Sequence, residues 1–195
     1  MTIGEQLTEP SRRHLTERQA ELAQRLVSAA EHEAETQDYN RISVRSIAKR
    51  AGVAPATAYT YFSSKDHLLA EVLWRRIHEL PEPVVDCQLP AAERVAEMIR
   101  FMGIGIVESP AIVAATTRAL LAAGPDVQAA RERIGGEILR RLASALGPDA
   151  NPEVLGVLNI TYSGAMLAAG LGHFTFAELP DLLARAARLL LKEAS

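Results

Sequence analysis

Between Gly52 and Lys65 the chain carries Thr57, Tyr59, Thr60 and Tyr61, with Phe62 as the one large apolar side chain. A short helix built this way is a poor core element. Its hydroxyls and phenols can donate and accept hydrogen bonds but have no base or metal beside them. At about 100° per residue, Ala58 and Phe62 set the buried direction. Ala56 and Thr60 point away from it, and Thr57 lies mostly outward. Tyr59 and Tyr61 stand on the two borders, where a tyrosine packs its ring and extends its hydroxyl. A narrow ridge of small residues flanked by two phenols suits the major groove of a duplex, with the phenols reaching the phosphates on either side.

The charge pattern points the same way. Residues 41–78 hold seven Lys or Arg against Asp66 and Glu71, a local +5 in a chain whose net charge is −3. A basic island in an acidic chain suggests a local polyanion contact. Lys65 adds a cation at a helix start, where backbone N–H groups also favour anions. Arg45 sits one turn into the preceding short helix and is long enough to reach a base edge or a phosphate. Catalysis finds no support. The five histidines (14, 32, 67, 78 and 173) make no His-Glu-x-x-His spacing, and one cysteine makes no Cys-x-x-Cys pair. "GIG" at 103–105 lies inside a helical pattern rather than after a strand, and no nucleophile elbow is present. We therefore expect no enzyme activity, metal or cofactor.

The elements that must position these residues are all helical, with no strand alternation and no repeat. Thr16 to Gln19 form a capping box that opens a helix to about Gln37, with Leu22, Leu26, Ala29 and Ala30 as its apolar stripe. Asp38 stands where a glycine would turn the chain more cheaply. Ser43 caps a short helix that Gly52 ends, and Pro55 suits the first position of the next. Ser63 or Ser64 opens a fourth helix with Leu68, Leu69, Val72, Leu73 and Ile77 at helical spacing. "PEPVVDCQLP" at 81–90 reads as a connector that contains Cys87 as a loop residue. Helices then follow near 90–107, 110–123, 125–146 and 152–172, and a last one ends the chain. The fold class is thus all-α with about nine helices. The expected parts are a flexible arm 1–14, a helix-turn-helix unit 15–63, a connecting helix 64–80, and a ligand-binding and dimerisation domain 81–195. One cysteine and no apolar run of about 18 residues fit a cytoplasmic protein without a membrane span.

The segment "ISVRSIAKRAGVAPATAYTYFSSKDHLLAEVL", 42–73, resembles the TetR family of bacterial transcriptional regulators. It matches a short helix, Ala-Gly-Val, a recognition helix ending Tyr-x-Tyr-Phe, then Ser-Lys and a Leu-Leu pair. The resemblance implies a homodimeric repressor whose C-terminal domain binds a small molecule that releases a pseudo-palindromic DNA operator. It carries DNA contact over to Ser43, Arg45, Pro55, Ala56, Thr57, Tyr59, Tyr61 and Lys65. Departures are Asp38 for glycine, Ala34 for a large aromatic, the polar run "EHEAE", and Val44 where a hydroxyl often meets phosphate. Arg12 and Arg13, ahead of the first helix, are a candidate minor-groove arm.

The C-terminal half is rich in small and flexible apolar groups, which suits an adaptable pocket for an apolar effector such as a lipid, acyl or drug-like compound. Met98, Met102, Thr116, Leu120, Asn159 and Tyr162 are the candidate ligand residues, with Arg100 and Thr117 as further polar groups. Val154, Leu158, Ala165, Leu182, Leu183, Ala186 and Leu190 form the stripes expected to seal a dimer through the last two helices. Two alternatives stay open: a ligand-responsive activator, and a DNA-binding dimer without a ligand.

Overall fold

The computed structural model describes residues 17–107, 109–147 and 150–193. Arg12, Arg13 and Thr16 lie outside them. The described residues form α1 (Glu17–Thr36), α2 (Val44–Arg50), α3 (Pro55–Tyr61), α4 (Lys65–Glu79), α5 (Ala91–Val107), α6 (Pro110–Ala119), α7 (Pro125–Leu146), α8 (Pro152–Gly170) and α9 (Leu179–Glu193). There is no strand among them.

Local chemistry sets most boundaries. Ser43 accepts from the backbone N–H of Ser46 at 3.0 Å, and the Ser43 N–H returns a bond to the Ser46 hydroxyl at 3.1 Å. Two orphan donors at the start of α2 are thereby satisfied. Proline opens α3, α6, α7 and α8, where its missing N–H is not needed. Ser64, not Ser63, caps α4 through the His67 N–H at 3.0 Å. Gly52 has φ +67° in the turn between α2 and α3, a conformation a side chain reaches only at a cost. Asp38 avoids that demand: its carbonyl accepts from the Arg41 N–H at 2.8 Å, and no non-glycine residue described has positive φ. Helix α6 stops earlier than expected, because Leu121 and Ala122 bond three residues back instead of four.

The helices enclose two apolar cores. The first unites Leu26, Ala30, Ile47, Ala58, Phe62, Leu68 and Leu69 of α1–α4 with Ile112, Ala115 and Ala119 of α6. The second joins Leu73 and Ile77 of α4 to α5, α7, α8 and α9. Helix α4 therefore passes from one core into the other. The Gly-Ile-Gly of α5 is a packing device. A Cβ at Gly103 would lie 2.5 Å from Pro180 Cγ, and one at Gly105 would overlap Leu80. Glycine lets α5 approach α9 and the end of α4 closely, which explains the motif without a nucleotide.

Candidate nucleic-acid interface and apolar cavity

The cap of α2 leaves Ser43 and Arg45 exposed while Val44 and Ile47 are buried. Val44, 5% exposed, faces the core, so its missing hydroxyl removes nothing from the outer surface. On α3 and its C-cap, Ala58 and Phe62 are buried, and Pro55, Ala56, Tyr59 and Thr60 are exposed. Thr57 is half-buried, and Thr60 returns its hydroxyl to the Ala56 carbonyl at 3.2 Å. The two phenols are not equivalent. Tyr59 is 53% exposed, whereas Tyr61 packs against the first core. Lys65 is already engaged: its ammonium donates to the Tyr39 carbonyl at 2.9 Å and lies 3.9 Å from the Tyr39 ring centre. The Arg118 guanidinium, from α6, stands 4.8 Å from that ring. Burial and a hydrogen bond to Asp66 push the Tyr39 phenol up to about 12.

The basic island divides by use. Arg50 pairs with Glu33 at 2.6 Å, and Arg75 and Arg76 both pair with Glu31. The polar run "EHEAE" thus ties α1 to α2 and α4 instead of weakening the unit. The side chains of Arg41, Arg45 and Lys49 remain exposed.

A cavity of about 270 Å³ opens between α4, α6, α7 and α8. Leu73, Ile77, Leu120, Ile134, Ile138 and Met166 supply apolar wall. Thr117, Tyr162 and Ser163 supply hydroxyls. The Thr117 hydroxyl is buried without a partner, and burial pushes the Tyr162 phenol up to about 12. Arg131, the one charged group lining the cavity, donates to the carbonyls of Leu120 at 2.6 Å and Ala122 at 3.3 Å.

The structure corrects part of the expected ligand set. Leu120, Tyr162 and Thr117 line this cavity; Met98, Met102, Thr116 and Asn159 do not. Met98 and Met102 are 2% and 0% exposed, because α9 covers α5 and fills that space with core. Thr116 spends its hydroxyl on the Val113 carbonyl at 3.1 Å. Asn159 lies elsewhere on α8, its Oδ1 buried without a partner. Arg100 pairs with Asp181 at 3.0 Å.

A family model described as bacterial regulatory proteins, tetR family, matches residues 26–72, the stretch that supplies most of the first core. An uncharacterised helix-turn-helix-type transcriptional regulator of Mycobacterium tuberculosis is 40% identical over 198 residues, covering 100% of this chain and 92% of that protein. The chain belongs to the TetR family of transcriptional regulators. The helix-turn-helix-type transcriptional repressor KstR of Mycolicibacterium smegmatis is 31% identical over 120 residues, 60% of this chain and 58% of that protein. A TetR transcriptional regulator from Rhodococcus sp. RHA1 shares the fold with TM-score 0.73 and 24% identity, over 92% of this chain and 100% of that one.

In this TetR-family chain the helix-turn-helix unit and the cavity helices are joined at one corner. Ser63, just past α3, donates to Asp126 of α7 at 2.6 Å. His67 of α4 lies 3.8 Å from both Asp126 and Glu71. Glu71 also receives Arg133 of α7. Burial pushes the Glu71 carboxyl up, but bonds from His67 and Arg133 outweigh it and hold Glu71 below the usual range. Deeper in, Arg141 of α7 is 1% exposed and donates to the carbonyls of Leu80 at 2.7 Å and Pro81 at 3.1 Å, and to Glu137 at 2.8 Å. It anchors the end of α4.

The stripes expected at a dimer seam need one further correction. Leu158 and Leu183 are buried inside their own subunit. The apolar face left open on α8 is Val157, Ile160, Leu167 and Leu171, and a Cβ at Gly156 or Gly164 would meet nothing within 4 Å. On α9, among the described residues, the exposed large apolar side chain is Leu189, 67% accessible. Among the described residues no single helix is long and apolar enough to cross a membrane.

Proposed function

We propose that this regulator is a cytoplasmic homodimeric repressor that binds a pseudo-palindromic operator through α2 and α3. An apolar small molecule in the α4–α8 cavity releases it. One observation carries the reading: α4 shares the first core with the exposed α2–α3 ridge and lines the apolar cavity with Leu73 and Ile77. In the DNA-bound state Arg45, Ala56, Thr57 and Tyr59 face the groove, with Ser43, Pro55, Tyr61 and Lys65 at the phosphates. The open faces of α8 and α9 meet their two-fold copies in a four-helix seam. A ligand that fits the cavity better in one dimer shape tilts α4 and moves the two reading heads off groove spacing. A tenfold loss of operator affinity needs about 1.4 kcal/mol of such coupling.

The test begins with a genome-wide occupancy map. DNA under the strongest peak is then titrated with the protein in the presence of an apolar cell extract. The extract is expected to lower occupancy and raise the protein's melting temperature together. DNA binding that no extract fraction changes would favour the ligand-free regulator, and occupancy that rises would favour the activator.

A further inference from the structure

The walls of the cavity say what kind of molecule it takes. Eight of its lining groups are aliphatic or thioether side chains: Leu73, Ile77, Leu120, Leu121, Ile134, Ile138, Met166 and Leu167. Two buried polar groups break that surface, Thr117 on α6 and Tyr162 on α8, 7% and 3% exposed. The Thr117 Oγ1 has no hydrogen-bond partner. A buried hydroxyl left unpaired costs free energy that a partner on a ligand would recover. No buried charge waits for a ligand inside. Arg131, the one charged lining group, is solvent-exposed and donates from Nη1 to the Leu120 and Ala122 carbonyls at the end of α6, and no carboxylate lines the cavity. A carboxylate or ammonium in the apolar interior would lose its hydration without a buried ion to replace it. A neighbouring cleft is lined by the same Thr117, Leu121 and Leu167 together with Arg118, Gly170 and Leu171. The backbone of Gly170 lies close to Thr117, since a Cβ there would stand 3.1 Å from the threonine methyl.

We propose that the cavity takes a neutral, compact apolar molecule with one hydroxyl or ketone oxygen, held between Thr117 and Tyr162, and rejects carboxylates and ammonium ions of the same skeleton. The proposal rests on the reading of this cavity as the effector site. It sets the chemical class: Thr117 both donates and accepts, Tyr162 donates, and a single oxygen satisfies both.

The test is calorimetric titration of the full chain with four compounds on one bicyclic skeleton: tetralin, 2-tetralone, tetralin-2-carboxylate and 2-aminotetralin. 2-Tetralone is expected to bind about three- to tenfold tighter than tetralin, the scale of one net hydrogen bond, and the two ions not measurably. Thr117→Val should erase the preference for the ketone without weakening tetralin, and should leave the ligand-free melting temperature unchanged or raised. Thr117→Ser should restore the preference, and Tyr162→Phe should reduce it. Three results would overturn the proposal: no compound binds, an ion binds as well as the ketone, or Thr117→Val keeps the ketone preference. Anisotropy of labelled operator, measured alongside, separates the two readings. Selective ketone binding with no DNA release removes the effector role and leaves the ligand class standing. Failure of all four compounds, with release by another molecule, does the reverse.

Discussion

Arg45 and Lys65 are both basic and both belong to the proposed interface, yet their surroundings assign them different work. Arg45 is exposed on α2 near the capping Ser43. In the proposed interface it reads a base, so Arg45→Ala should cost about 1–3 kcal/mol and relax preference at one position. Lys65 is held by the Tyr39 carbonyl and ring. In the proposed interface it meets phosphate, so Lys65→Ala should weaken all sequences alike and lower the salt slope by about one. Mobility-shift titrations at several salt concentrations check both. The outward face of α3 was legible from helical spacing alone, because Ala58 and Phe62 leave one buried direction. The engagement of Lys65 was not. Its partner is a backbone carbonyl 26 positions away, and carbonyls carry no sequence signal.

Helix α4 is fixed at both ends by α7, and each end makes its own prediction. At the far end, Arg141→Ala would leave the carbonyls of Leu80 and Pro81 without their donor, while Glu137 keeps Arg140 at 2.7 and 2.8 Å. A loss of about 2–5 kcal/mol is expected in urea unfolding, at about 1–3 kcal/mol for each buried acceptor left unpaired. At the near end, Glu71 has a lowered folded pKa. Its contribution is therefore present above its ordinary value of 4.5 and lost as pH falls below it. Between about pH 5 and 3 the wild type should lose more stability than Glu71→Gln, read from urea midpoints at each pH. Helix positions were largely legible, because proline and serine mark most starts. Arg141 was overlooked, although it sits on the Ile134–Ile138 stripe with Glu137 one turn before it. That placement of a charge on an apolar face is a usable signal. The contacts of "EHEAE" were hidden for another reason: a run of carboxylates reads as solvated until its arginines, from α2 and α4, fold against it.

For the whole molecule the question is which face of α8 meets a second copy. Helix α8 is apolar on nearly all sides, so periodicity could name the helix but not its inward side; tertiary packing decides that by burying Leu158 and Tyr162. Ile160, 74% exposed, lies on the face left open. Ile160→Arg should change monomer stability by no more than about 0.5 kcal/mol, yet halve the mass in sedimentation equilibrium and weaken operator binding sharply. In the proposed reading two copies of this chain bind DNA through α2 and α3. Selection of bound duplexes from a random library, sequenced for the wild type, Arg45→Ala and Lys65→Ala, is the decisive measurement. The wild type should enrich a two-fold symmetric motif with half-site centres one helical turn or a multiple of it apart, the single turn being roughly 34–36 Å. Arg45→Ala should blur one position in each half, and Lys65→Ala should return the same motif more weakly. An unenriched library, or an unchanged motif and affinity with Arg45→Ala, would contradict the account.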